Sequence, residues 1–192
     1  DEIESSTSTE SSSTSTDSTV KALNSWGSAG TSSGQYMGYG SIISNDGYIY
    51  ISSRDGSGIS KFDQNGNAIA HNSTYKIRQI NFHPDNKSKI YGFNLQSDCK
   101  VRVFNLNLTE ILSDNSSISC GDHGLAVDIN GNVYVSGYHN SYQVSKYSDN
   151  GTLGLSLITS WGSLGTNTGQ FSNPLYTEVY NSKIYVADKQ LN

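Results

Sequence analysis

The chain has 192 residues, a formal charge of −5 and only 15% charged side chains. No Lys/Arg cluster supplies the basic footprint that phosphate neutralisation needs, which argues against a nucleic-acid partner, and no run of about 18 apolar residues is available to span a bilayer. Gly at 19, Tyr at 13 and abundant Ser, Thr and Asn, against 34% hydrophobic residues, describe a turn-rich all-β chain with a thin core, in which tyrosine supplies amphipathic bulk.

In chain order, residues 1–19 come first. From Ser5 to Thr19 the sequence is almost pure Ser and Thr. Such a stretch cannot bury a core and reads as a linker, an O-glycosylated stalk or an arm. A Thr-rich extended arm can add to an open sheet edge through main-chain hydrogen bonds, so contacts with other protein chains, including self-assembly, are expected. The opening Asp1 fits a mature terminus left by signal-peptide removal.

Residues 20–192 carry a repeat. Ser25-Trp26-Gly27-Ser28, followed by Gly34-Gln35-Tyr36, recurs as Ser160-Trp161-Gly162-Ser163, followed by Gly169-Gln170-Phe171, an offset of 135 residues or three units of 45. Between these copies, Ile49-Tyr50-Ile51, Ile90-Tyr91 and Val133-Tyr134-Val135 hold one position in successive units, and Ile184-Tyr185-Val186 follows. Turn dipeptides or short polar breaks precede them: Asp46-Gly47, Gly131-Asn132 and Asn181-Ser182. Ile59-Ser60-Lys61-Phe62, Val101-Arg102-Val103-Phe104 and Val144-Ser145-Lys146-Tyr147 alternate apolar with polar residues as half-buried third strands do. Asn65-Gly66 and Asn150-Gly151 then turn into a fourth strand. A period in the forties with this content predicts a β-propeller of four-stranded blades. Residues 20–27 read as a lone fourth strand, three full blades follow, and the chain reaches the second strand of another. The expectation is a fragment of a longer chain, or a ring completed by another chain.

Leu125-Ala126-Val127-Asp128, Gly131-Asn132-Val133-Tyr134-Val135, Lys146-Tyr147 and the run from Trp161-Gly162-Ser163 to Gly169-Gln170-Phe171-Ser172-Asn173-Pro174 resemble NHL repeats. The resemblance spans roughly residues 21–192 and implies a propeller, usually six-bladed, of a family that includes enzymes, receptors and scaffolds. Some members are peptidyl-hydroxyglycine amidating lyases that bind zinc through histidines. Here His71, His83, His123 and His139 fall in different units, and His123 is the one expected near the central axis. Solvated or hydrogen-bonded loop histidines are the competing reading, and no metal or cofactor is expected.

Cys99 and Cys120 are the only cysteines and are expected to form a disulfide between neighbouring blades, the alternative being two free buried thiols. Five sequons, at Asn72, Asn86, Asn107, Asn115 and Asn150, sit in or beside expected turns and are candidate N-glycosylation sites. Asp63-Gln64-Asn65-Gly66-Asn67 and Asp55-Gly56-Ser57-Gly58 look like the front of a calcium loop but lack its closing Glu, so they read as hairpin turns. Asp128 and Asp188 recur at equivalent positions, which suggests blade-to-blade hydrogen bonding. Taken together these features predict an extracellular or cell-surface glycoprotein with a structural or adhesive role, such as a subunit of a surface filament or appendage. The alternatives are a ligand-binding receptor ectodomain and, third, a metal-dependent lyase.

Overall fold

The computed structural model describes residues 25–37, 40, 42–53, 55, 58–94, 99–113, 123–137, 142–151 and 154–189, with the side chains of Ile42 and His123 left aside. The Ser/Thr-rich segment 1–19, Asn115, Cys120 and His139 therefore lie outside the described residues. Every regular element of the described chain is a strand. A short parallel pair comes first, β1 (Ser28–Ala29) with β2 (Gln35–Tyr36).

Three four-stranded antiparallel sheets follow, each hydrogen-bonded in chain order. Sheet I comprises β3 (Ile42–Asn45), β4 (Tyr48–Ser53), β5 (Gly58–Asp63) and β6 (Ala68–Asn72). Sheet II comprises β7 (Ile77–Phe82), β8 (Lys89–Asn94), β9 (Val101–Asn105) and β10 (Glu110–Ser113). Sheet III comprises β11 (His123–Val127), β12 (Asn132–Gly137), β13 (Gln143–Asp149) and β14 (Leu155–Trp161). Sheet IV has two strands, β15 (Pro174–Tyr180) and β16 (Lys183–Asp188). The strands fall where the alternation and the turn dipeptides place them. Ser25–Gly27, expected at the end of a fourth strand, lie outside any strand: Trp26 stacks its ring on Phe62 of β5 instead, with centroids 4.7 Å apart.

Turn chemistry closes the hairpins. Asp46 and Gly47 (φ 48° and 78°), and Asn181 and Ser182 (φ 47° and 59°), put two consecutive residues in the left-handed region, as the tightest two-residue hairpins require. A register shift recurs between the third and fourth strands of all three complete sheets: at Lys61/Phe62 against β6, at Lys146/Tyr147 against β14, and between Glu110 and Leu112 against β9. Such bulges increase the twist of the outer strand.

The sheets pack face to face in succession: β7 lies against β4, β11 against β7, and β15 against β11 and β12. This is a propeller-like stacking in which first strands meet. Between sheets I and II the core is Tyr50, Ile59, Ile77, Ile80, Phe82, Ile90, Phe104 and Leu108. Between sheets II and III it includes Tyr91, Phe93, Val101, Val103, Leu125, Val133, Val135, Tyr147 and Leu155. Full burial of such side chains contributes about 1.5–3 kcal/mol each, and these two layers supply most of the apolar burial. Trp161, Leu157 and Ile158 of β14 remain exposed.

Candidate interaction site

The Trp-Gly repeat encodes one loop conformation twice. After Trp26, Gly27, Gly30 and Gly34 have φ of 90°, 149° and 79°; after Trp161, Gly162, Gly165 and Gly169 have 101°, 152° and 81°. Gly30 N–H donates to the Tyr36 carbonyl (3.3 Å) as Gly165 N–H does to that of Phe171 (3.1 Å). The Gln35 side-chain carbonyl accepts from Ser32 N–H (3.2 Å), and that of Gln170 from Asn167 N–H (3.1 Å). A β-carbon on Gly162 would lie 2.6 Å from the Phe171 ring, and one on Gly27 would lie 2.5 Å from that of Tyr36. Gly162→Ala is therefore expected to cost about 2 kcal/mol through strain and clash, whereas Gly151→Ala, whose β-carbon would meet nothing within 4 Å, should cost about half of that. Paired thermal melts check the difference.

Hairpin turns absorb the carboxylates. Asp63 accepts from the backbone N–H of Asn65 (2.9 Å) and Asn67 (2.8 Å) and from the Asn67 amide (2.7 Å), and the Asn67 side chain is the main reason its carboxyl is held below the ordinary value. Asp128 repeats the pattern with Asn130 and Asn132 and also accepts from the Tyr134 hydroxyl (2.8 Å). Burial pushes the Asp128 carboxyl up, but hydrogen bonds from Asn132, Tyr134 and Asn130 outweigh it and hold it low. Burial, then the Asp128 carboxylate, pushes the Tyr134 hydroxyl up to about 12. The calcium-like stretch at Asp63 is thus a self-satisfied turn. Asp188 likewise accepts from Ser172 and Asn173 N–H (2.5 and 2.8 Å). Asp128 bonds within its own hairpin, because a carboxylate beside the open backbone amides of a turn finds its donors there first; Asp188 ends a second strand, β16, whereas Asp128 follows a first strand, β11, so the two do not hold equivalent positions as expected.

One carboxylate that does bond between sheets is Asp149, at the end of β13, which sequence reasoning did not single out. Lys89 of β8 donates to it at 2.6 Å and the Tyr91 hydroxyl at 2.8 Å; its side chain is 7% exposed. Burial pushes its carboxyl up, yet Lys89, Tyr91 and Gly151 N–H together hold it below the usual range, while burial and Asp149 raise the Tyr91 hydroxyl. Because the folded carboxyl titrates below the unfolded value of about 3.9, its contribution is present above about pH 4 and is lost as pH falls through the folded pKa. Asp149→Asn is expected to remove about 2 kcal/mol at neutral pH and to flatten the acid limb of a urea-midpoint profile. An unchanged acid limb would overturn this assignment.

Following sheets reach back to the tyrosines of preceding ones. Tyr50, Tyr91, Tyr134 and Tyr185 pair with Ile43, Asn81, Ala126 and Glu178 at one register position of the second strand. The first three are 1%, 1% and 5% exposed; Tyr185 is 52% exposed. The carbonyl of Leu106, in the β9–β10 turn, accepts from Tyr50 (3.4 Å) and from Lys61 Nζ (3.2 Å), and Asp149 does the same for Tyr91. Between sheets III and IV a cleft of ≈ 530 Å³ remains, lined by Val127, Tyr134, Lys146, Val179, Tyr180 and Ile184 among others. Lys146 Nζ lies 5.5 Å from the centre of the Tyr134 ring there, within cation–π range.

Of the histidines, His83 accepts from Asp85 and Asn86 N–H (3.2 and 3.0 Å), and His71 Nδ1 lies 2.9 Å from the Ser60 hydroxyl. Both serve local structure. His123 contributes its backbone to β11, and His139 lies outside the described residues. Among the described residues no group of three His, Cys, Asp or Glu side chains is arranged to hold a metal, and no helix is long and apolar enough to cross a membrane. Asn86, Asn107 and Asn150 are exposed in the β7–β8, β9–β10 and β13–β14 turns. Asn72, half-buried, donates its amide to the Leu108 carbonyl (2.8 Å), and Asn115 lies outside the described residues. Cys99, 1% exposed, is disulfide-bonded.

No protein-family model matches this sequence, and no curated protein is similar to it. Among solved structures, the chain is similar to a structural-genomics protein of unknown function from Bacteroides thetaiotaomicron VPI-5482, with a TM-score of 0.57 at 21% identity. The match covers 79% of this chain and 38% of that one, so this chain spans well under half of its length. The likeness is one of fold.

Proposed function

We propose that this chain is an extracellular, glycosylated structural or adhesive module of NHL-type propeller architecture, part of a six-bladed ring, that works by holding other protein chains against its faces. The observation that carries the reading is the outer strand of a complete sheet: Leu157, Ile158 and Trp161 of β14 all stand exposed. Large apolar side chains exposed on an edge strand support an association surface. The exposed sequons Asn86, Asn107 and Asn150 all occupy turns between first and second or third and fourth strands, and a glycan on each would leave the strand faces clear. Carboxylates spent on turns and on the Lys89–Asp149 contact favour a scaffold over a catalyst.

Sedimentation of secreted protein tests the reading. Concentration-dependent association that Leu157→Lys together with Ile158→Lys abolishes is expected; a monodisperse monomer at all concentrations would overturn it. Glycopeptide mapping should find sugars on Asn86 and Asn107, and unreduced peptides should link Cys99 to Cys120. The cleft between sheets III and IV supports a second reading, a ligand-binding ectodomain, which a monomer with a saturable small-molecule site would favour.

A further inference from the structure

The dipeptide Asn-Gly occurs three times, at Asn65-Gly66, Asn130-Gly131 and Asn150-Gly151. In it an asparagine amide is open to attack by the following backbone nitrogen, because glycine brings no β-carbon to obstruct the approach. Whether the attack proceeds in the folded chain depends on what must first be released, and the three turns differ there.

Asn65 lies exposed in the β5–β6 turn, and its side-chain amide has no hydrogen-bond partner among the described residues. The nucleophile, Gly66 N–H, is held by a neutral bond to the Asp63 carbonyl (3.1 Å). Asn150, also exposed, in the β13–β14 turn, is held more firmly. Its Oδ1 accepts from the Ser148 hydroxyl (3.1 Å), its Nδ2 donates to Ser156 Oγ (2.8 Å), and Gly151 N–H donates to the Asp149 carboxylate (2.8 Å). A bond to a charged acceptor is the stronger kind, and Lys89 and Tyr91 of sheet II fix that carboxylate in turn. At the third pair Gly131 is buried, and a β-carbon on it would lie 3.4 Å from the His83 ring.

We propose that Asn65 is a site of spontaneous deamidation in the folded protein, and that the same dipeptide at Asn150 is protected by its turn. Gly66 N bonds to Asn65 Cγ, the Cγ–Nδ2 bond breaks, and the amide nitrogen leaves as ammonia with the proton that Gly66 N gives up. Water then opens the cyclic imide on either side. Opening at Cγ leaves aspartate; opening at the backbone carbonyl leaves isoaspartate, whose main chain is longer by a methylene. The lengthened chain pushes on Gly66, which lies directly under the Trp26 indole: a β-carbon there would be 2.3 Å from that ring. Trp26 in turn stacks on Phe62 of β5. Isoaspartate at position 65 therefore loosens Trp26, the contact that seats the first Trp-Gly loop on sheet I.

The test uses the full 192-residue chain, made in a host without N-glycosylation so that Asn150 keeps a free amide, and incubated folded at mildly alkaline pH. Peptide mapping by mass, with enzymatic methylation to score isoaspartate, follows Asn65 and Asn150 with time. Asn65 is expected to convert at least about tenfold faster, since freeing Asn150 and its nucleophile breaks two further hydrogen bonds. In urea the two rates should converge, and Ser148→Ala together with Ser156→Ala should raise the rate at Asn150 in the folded chain. Equal rates in the folded chain, a difference that persists in urea, or an Asn150 rate unmoved by the two substitutions overturns the proposal. In a Trp161→Phe background Trp26 is the remaining tryptophan, and its emission is expected to shift as Asn65 converts and to hold steady in Asn65→Ser. Emission unchanged after complete conversion overturns the assignment of Trp26 as the group that yields.

Discussion

Phe104→Ala is expected to lower the free energy of unfolding by about 4 kcal/mol, the upper part of the range for deleting a buried aromatic. The ring is fully buried in the layer between sheets I and II and sits 6.1 Å from that of Tyr75. It also lies over Gly92, where an added β-carbon would come within 3.5 Å of it, so the backbone of β8 is itself part of the wall. Strands of a sheet cannot close toward the space left behind without breaking their own ladder, and the cavity term is therefore large. Urea denaturation of this variant beside Ile111→Ala, a substitution at a 44% exposed site, checks the claim. Equal midpoint shifts would show that the layer is not the principal source of stability.

Loss of the disulfide at Cys99 should be the next largest effect. Closing a loop of about 20 residues contributes roughly 3 kcal/mol through the unfolded chain. Cys99 also packs in the layer between sheets II and III and holds a left-handed φ of 42°, a backbone conformation disfavoured for a residue with a β-carbon. Reductant is expected to lower the urea midpoint of the native protein and to leave that of Cys99→Ala unchanged. A native midpoint indifferent to reductant would remove the bond from the account of stability. Topology is compatible with the expected pairing, since the β8–β9 connection that holds Cys99 and the exit of β10 fall at the same end of sheet II.

Features built within one hairpin or one loop were readable from the residues. Asp46-Gly47 and Asn181-Ser182 announce their turns because few residues tolerate positive φ, and in the Trp-Gly repeat Gly27 and Gly162 face an aromatic ring and Gly30 and Gly165 a glutamine amide that leave no room for a side chain, while Gly34 and Gly169 are selected by their positive φ. Alternation placed β5, β9 and β13 because side chains point to opposite faces at each step. What stayed hidden involves partners about 60 residues apart. Asp63 and Asp149 sit one position apart relative to their Asn-Gly turns, Asp63 aligning with Ser148 and Asp149 with Gln64; which of them would meet a partner from another sheet is decided only by the stacking that brings Lys89 and Tyr91 to Asp149. The same holds for Lys61, whose ammonium reaches the Leu106 carbonyl of the following sheet, 45 residues on.

The order of strands within the complete sheets also fixes how the molecule would yield to a pull. The outermost strand of sheet III leaves directly for sheet IV through the loop after Trp161, so tension carried along the chain peels β14 from β13 one hydrogen bond at a time instead of shearing the whole ladder at once. Each unit of 45 residues would then release roughly 150 Å of slack at low force, from the reach of an extended chain, and the cross-link at Cys99 would shorten one of those steps. Between anchored surfaces, such a chain would behave as a shock absorber with discrete stops.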